Sequence, residues 1–594
     1  MSVEYGKKIR SNSTSGTHIK RLQKSVKKNT SNIKEISHQQ SQQWKRSHSV
    51  KPSTIQPTIE ASSINKIDSL NNNSNQTPSE LLSDQYICCR CSLIRIAICV
   101  FTIFILLSGF AALIVALYNI KPNTTTTNES IISTTTSTTL TMSSSLTTTT
   151  STNTTTTTIA TICGSSCLNQ SWIDSSGVIA FWKFENSFAD STNIYNGTPS
   201  SQAPTFVSGY VGQAASFNAT AKQSIYTSFI PLSNVSFTLD AWIEQNGEPN
   251  PTDYSIVGLC LSTTTDNCLH ISIRSKKYYF GFYGDDLQSS ATMPLNYWVH
   301  VAFVFDVTTR KQMIYVNGFL DQQRTASGTL KLTSRNFTIG TNLLVRLPNN
   351  TFQGYIDQLS INARSKSSCE ILEIATLAAH FKFDVTSPLS DSGPNSMIST
   401  ASNYLIISGY KNQAISFSGA STSYYQVSSF TSFGITNQSF SITFWIQPQI
   451  LSGTIVHLST SSLGTGSQCF PLLGFTSNRT IIAQILTKNN TVVSITGPIL
   501  SVSSSWIAVG LTWSQTNGLK LYINKTLINS MIASTFLASK TTSNYLTLGN
   551  CLNGCSGCFN GSIDAVGPFT GAIDDWRIYS RELSSNDICT LYSY

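Results

Sequence analysis

Charge is what this 594-residue sequence has least of. Lys, Arg, Asp and Glu together make up 11% of it, less than half of the roughly 25% found in an ordinary soluble protein. So little charge argues against a bundle of helices with solvated faces. Histidine is also scarce, at seven residues. The chain has no H-E-x-x-H, no G-x-S-x-G and no Walker-type loop, so zinc-protease, serine-hydrolase and nucleotide-hydrolase chemistry has no recognisable seat. In place of charge there are Ser, Thr and Asn, with 22 Tyr and 29 Phe. That mixture suits strands, turns and glycosylated surfaces.

The charge that exists is lopsided. Residues 1–95 hold 15 Lys/Arg against 6 Asp/Glu, which accounts for the whole net charge of +9. The balanced remainder gives no reason to expect nucleic-acid binding. Residues 1–95 also bury too few hydrophobes to fold and are expected to form a disordered basic tail. Residues 96–117, IAICVFTIFILLSGFAALIVAL, carry no charge. As a helix they would span about 33 Å, enough to cross a hydrocarbon core of roughly 30 Å. The long polar stretch before them argues against a cleaved signal peptide. Arg90 and Arg95 on one side, against Lys121 alone on the other, place the N-terminus in the cytoplasm. A single-pass plasma-membrane protein with an outer C-terminus is expected.

The other features sort by compartment. Cys88, Cys89 and Cys91, just inside the expected span, suit palmitoylation or remain plain thiols. Between residues 123 and 162, 28 of 40 are Ser or Thr, so 118–162 reads as a mucin-like stalk. Fourteen Asn-x-Ser/Thr sequons follow the apolar run, among them Asn196, Asn218, Asn234, Asn336, Asn437, Asn478, Asn524 and Asn560. Several are expected to carry glycans. Ten of the 14 cysteines lie on the same side, where disulfides are the default, and Cys260 with Cys268 across a short turn is one expected bridge.

The remaining sequence repeats itself. Trp182-Lys183-Phe184 returns as Phe381-Lys382-Phe383, and Gly209 through Phe217 returns as Gly409 through Phe417. The block from Ser236 to Ile243 (SFTLDAWI) returns from Ser439 to Ile446 (SFSITFWI). Trp298-Val299-His300 matches Trp506-Ile507-Ala508, Ile314 through Asn317 matches Leu521 through Asn524, and Phe352 through Asp357 matches Phe569 through Asp574. Two departures stand out: Ala508 replaces His300, and Lys525 replaces Gly318. The blocks alternate with period two. Phe237, Leu239, Ala241 and Ile243 share one face, as do Val299, Val301, Phe303 and Phe305. Many short antiparallel strands in each half make an all-β pair of sandwiches.

In this order, F-x-F … D-S … G-x-x-x-Q-A-x-S-F … S-F-T-L-D-A-W-I … W-V-H-V-A-F-V-F-D … I-Y-V-N-G … F-x-G-x-I-D-x-L resembles the laminin-G-like jelly-roll family of the concanavalin A-like lectin/glucanase superfamily. The resemblance implies two tandem jelly rolls, at 163–373 and 374–594. It further implies binding of glycans or extracellular proteins, sometimes with calcium. For calcium, Asp190 with Asn193, Asp391 with Asn395, and Asp357 and Asp574 late in each copy are the candidates; holding their own turns is the competing role. Trp182, Trp242, Trp298, Trp445, Trp506 and Trp576 are expected to pack in the cores, with sugar-stacking platforms as the alternative role, and His300 is expected on a solvent face. The functional expectation is a surface recognition or adhesion protein. A glycosylated coat component is the alternative, and an ectoenzyme stands third.

Overall fold

The computed structural model describes residues 163–169, 176–247, 253–345 and 350–593. The expected tail, membrane span, palmitoylation cysteines and stalk lie outside these residues. Among the described residues, no helix is long and apolar enough to cross a membrane.

Each copy is a two-sheet sandwich. One sheet of the first copy runs in the order Phe319–Thr325, Lys311–Val316, Val299–Asp306, Phe237–Gln245, Gly354–Asn362, Gln213–Phe217, Thr205–Ser208, with Val178–Trp182 also pairing Gly354–Asn362. The facing sheet runs Asp286–Thr292, Lys277–Gly281, Cys268–Arg274, Tyr254–Cys260, Phe337–Ile339, Ile225–Thr227, Thr198–Pro199. Val299–Asp306 lies antiparallel to Phe237–Gln245 with Val301 opposite Ala241 and Phe303 opposite Leu239. Because side chains alternate across a strand, this register sends the two predicted apolar rows into one core. The second copy repeats the plan: Phe440–Pro448 sits between Ile507–Ser514 and Thr570–Tyr579, and Leu377–Phe381 pairs Thr570–Tyr579.

The tryptophans divide. Trp182 and Trp576 are fully buried in the cores. Trp242 and Trp445 occupy the opposite phase of strands whose neighbouring positions point inward, on the outer sheet faces, where they too are buried, at 6% exposure each, in packed apolar clusters. His300 does lie on the outer face of its strand, yet it is 1% exposed rather than solvated. It sits beside Asp240 (Nε2–Oδ1 3.8 Å) and edge-on to Trp242, beneath the chain that leaves the sandwich.

A short helix closes each outer face. Ser368–Thr376 is N-capped by Ser367 and seats Ile371 on Ala302, Val304 and Tyr315. Ser585–Leu591 carries a capping box of Ser584 and Asp587, and seats Ile588 and Leu591 near Trp445, Ala508 and Tyr522. The first helix spans the expected domain border at 373/374 and runs directly into Leu377–Phe381.

All ten cysteines among the described residues pair: Cys163–Cys589, Cys167–Cys369, Cys260–Cys268, Cys469–Cys558 and Cys551–Cys555. The expected Cys260–Cys268 bridge is among them. Through the first two, the segment 163–169 is tied to both closing helices at once.

Candidate binding cleft and carboxylate sites

The strand phase that faces Trp242 outward also sets up contact between the lobes. Tyr210 stacks on Trp242 at 3.4 Å between ring centroids, with Trp298 edge-on at 6.4 Å. The second lobe covers this group. Thr431 Oγ1 donates to the Tyr210 carbonyl at 2.7 Å, and burial pushes the Tyr210 phenol up to about 12. In the second copy the matching Tyr410–Trp445 stack is retained at 3.5 Å, but Tyr410 is 40% exposed. The same surface is therefore an interface in one copy and open in the other.

Beside this contact lies a cleft of about 620 Å³. Its walls come from the first sheet (Trp242, Trp298, Asn317, Phe319), the first closing helix (Leu372, Ala375), and the second lobe (Gln438, Ser439, Arg581, Glu582). Asn317-Gly318 forms a hairpin turn with both residues at positive φ, 50° and 86°, the conformation that favours Asn-Gly. The turn delivers Phe319 to the cleft mouth, 62% exposed. Two carboxylates line the cleft. Burial pushes Glu582 up, but hydrogen bonds from Asn517, Lys520 and Ser514 outweigh it and hold its pKa below the ordinary value. Asp587 is likewise held low, chiefly by the Arg581 guanidinium at 2.9 Å.

The calcium candidates occupy separate environments. Asp190 accepts from the backbone N–H of Phe181, Thr192, Ile194 and Tyr195 and from the Thr192 hydroxyl, and these bonds hold its pKa low against burial. Asn193 sits at φ 60° within that turn. Asp391 accepts from His380, Gly393 and Met397, and Asn395 donates to the Leu377 and Ala378 carbonyls. These four residues hold turns. Asp357 is different. One oxygen accepts from Val211 N–H, while Oδ1 is buried without a hydrogen-bond partner. Burial raises its pKa well above the carboxylate range, and the charge of Glu185 adds to the rise. Glu185, itself raised by burial, accepts from Gln213 N–H. The loop from Gly209 to Gln213 is thus clamped between two carboxylates. A Cβ at Gly209 would come 2.6 Å from Asp357 Oδ2, which accounts for glycine there. Glu185 was not legible as a partner in the sequence, although it directly follows the repeated Trp-Lys-Phe motif. Among the described residues, no group of three or more His, Cys, Asp or Glu stands ready to hold a metal ion.

In the second copy Asp574 accepts from Lys411 and Asp575 N–H, and burial raises it to about 7. It lines a polar pocket of about 460 Å³ with His380, Lys382, Lys411, Asp575 and Arg577. Asp575 accepts from His380 at 2.6 Å and from Arg577, whose charge and that bond hold its carboxyl far below the usual range despite burial. Burial, with Arg577 nearby, lowers His380 to about 4. Of the eight named sequons, Asn196, Asn218, Asn234, Asn336, Asn478 and Asn524 are exposed, while Asn437 and Asn560 are half-buried.

Comparison with known proteins agrees with this architecture. The model of a family described as concanavalin A-like lectin/glucanases superfamily (laminin G type 3) matches residues 218–372 and 418–589, together more than half of the chain. None of the curated proteins compared matches the sequence. Similar solved structures include domain 4 of AbnA, a GH43 extracellular arabinanase from Geobacillus stearothermophilus in complex with arabinotriose. It is 19% identical over 33% of this chain and 98% of that one, with a TM-score of 0.28. Mouse laminin alpha1 chain domains LG4-5 are 12% identical over 65% of this chain and 94% of that one, TM-score 0.23. The binding domain of Paraclostridial Mosquitocidal Protein 1 is 12% identical over 68% and 97%, TM-score 0.29. At scores this low the likeness decides nothing about function.

Proposed function

The chain belongs to the concanavalin A-like lectin/glucanase superfamily, and on that premise we propose that its tandem sandwiches are a recognition module that binds glycans or extracellular-matrix proteins without cleaving them. The observation that carries this reading is the state of the carboxylates in the inter-lobe cleft. A glycosidase needs one carboxylic acid with a raised pKa facing a second, ionised carboxylate. Ion pairs and hydrogen bonds hold Glu582 and Asp587 below their ordinary values, which supports binding over acid catalysis in this cleft. In the polar pocket Asp574 is raised, but both its oxygens accept backbone N–H bonds, and Asp575 is paired with Arg577 and Lys411.

The setting proposed is the outer face of a plasma membrane. The apolar run at 96–117 is the anchor, the Ser/Thr-rich stretch a stalk, and the exposed sequons carry glycans. Calcium is proposed for the first copy at Asp357 and Glu185, where a buried unpartnered oxygen and two carboxylates of raised pKa suit a hard cation completed by carbonyls. Bound there, it would neutralise the pair and stiffen the loop from Gly209 to Gln213. The test is an array of glycans and matrix proteins probed with the purified protein in calcium and then in chelator. Retention on at least one class of spot is expected. No retention under either condition contradicts the recognition reading, and a thermal midpoint unmoved by calcium contradicts the metal.

A further inference from the structure

We propose that the inter-lobe cleft is a saccharide site built by the tandem arrangement rather than by either sandwich alone, and that it takes a neutral oligosaccharide stacked on Phe319. This rests on the glycan-binding reading above and locates it. The cleft's roughly 620 Å³ lies within the usual range of ligand pockets, about 300–1,000 Å³. Its mouth is an aromatic ring held out on a fixed hairpin turn, with Trp298 behind it. Sugar rings present apolar C–H faces to such platforms and hydroxyls to polar walls.

The polar walls are uncharged or internally neutralised. Ser165, Ser432, Ser439 and Gln438 supply hydroxyl and amide groups, Arg581 is matched by Asp587, and Glu582 by Lys520. A sulfated or sialylated ligand would therefore find no unmatched cation. The second copy cannot duplicate the site, because its hairpin reads Asn524-Lys525-Thr526 where the first has Asn317-Gly318-Phe319. The geometry is fixed before ligand arrives. Cys167–Cys369 and Cys163–Cys589 tie one segment to both closing helices, and Thr431 is hydrogen-bonded across the lobes. Preorganisation of this kind removes ordering cost from binding.

The test uses the full-length protein against three panels: neutral hexose and pentose oligosaccharides, sulfated and sialylated glycans, and matrix proteins. Phe319→Ala removes the exposed ring, Ser439→Trp fills the cleft, and Phe559→Ala is a control at a 60% exposed aromatic outside the cleft. Binding to a neutral oligosaccharide is expected. Phe319→Ala should weaken it about tenfold, the size of effect seen for a buried aromatic anchor. Ser439→Trp should abolish it and Phe559→Ala should leave it unchanged. If Ser439→Trp does not fold, the exposed Phe319 decides alone. Neutral-glycan binding that survives both cleft variants overturns the site while the recognition reading stands. Binding confined to charged glycans, or to a matrix protein, overturns the ligand class. No binding to any panel overturns both.

Discussion

The internal repeat supplies its own control for the buried ion group of the first copy. Lys366 Nζ lies 2.7 Å from Asp240 Oδ2, with side chains only 5% and 6% exposed, and His300 is 3.8 Å from the other oxygen. Burial pushes Asp240 up, but the Lys366 charge and His300 outweigh it and hold the carboxyl far below the usual range. At the same places the second copy has Thr443, Leu583 and Ala508, the last two packed beneath its own closing helix. Removing one partner of a buried pair strands the other charge, at about 3–5 kcal/mol, whereas exchanging the whole set for fitting neutral residues is near neutral. Asp240→Asn is therefore expected to cost about 4 kcal/mol, roughly a 10 °C fall in the melting midpoint for a lobe of this size. The triple exchange Asp240→Thr, Lys366→Leu, His300→Ala is expected to stay within about 1–2 kcal/mol of the parent. Unfolding in urea, followed by tryptophan fluorescence, measures both. Because the folded pKa of Asp240 is depressed, its contribution is complete above the ordinary carboxylate pKa of about 4 and fades as pH falls towards the folded value. The reasoning fails if the triple variant is as unstable as Asp240→Asn, or if 1 M salt erases the single variant's deficit.

Asp574 carries the opposite sign. Its folded pKa of about 7 lies above the unfolded value, so stability is greatest in acid and is lost as pH rises from about 4 to 7, by up to about 4 kcal/mol. The melting midpoint of Asp574→Asn relative to the parent should climb over that window, and a pH-independent difference would contradict the assignment. Cys163→Ser with Cys589→Ser opens a bridge spanning 426 residues; with Cys167–Cys369 intact, a loss of about 5 kcal/mol is expected from chain entropy, measurable by denaturant titration. Lys525 occupies the left-handed region at φ 73°, where the first copy has Gly318. Lys525→Gly should raise stability by about 1 kcal/mol, unless its bond to Ser593 Oγ contributes as much.

The repeat and the strands were legible because period-two alternation is written into every block. The same alternation also held the answer on the tryptophans. Once Phe237, Leu239, Ala241 and Ile243 face one side of the sheet, Trp242 must face the other, where Tyr210 covers it and keeps it buried. The departures at Ala508 and Thr443 were visible, but not that Lys366 changes with them, because Lys366 lies outside the matched blocks. Cys163–Cys589 and Cys167–Cys369 join positions 426 and 202 residues apart, which local pattern does not encode. The cleft was illegible for a similar reason. Its walls come from three segments that meet only when the lobes dock through Tyr210 and Thr431.

Binding without turnover is the central claim, and one measurement addresses both halves of it. The purified protein is incubated with a mixed library of neutral oligosaccharides, and the retained and free fractions are analysed by mass spectrometry. The account predicts enrichment of some intact oligosaccharides on the protein, with every mass unchanged after prolonged incubation. Shortened products that accumulate with time would contradict it.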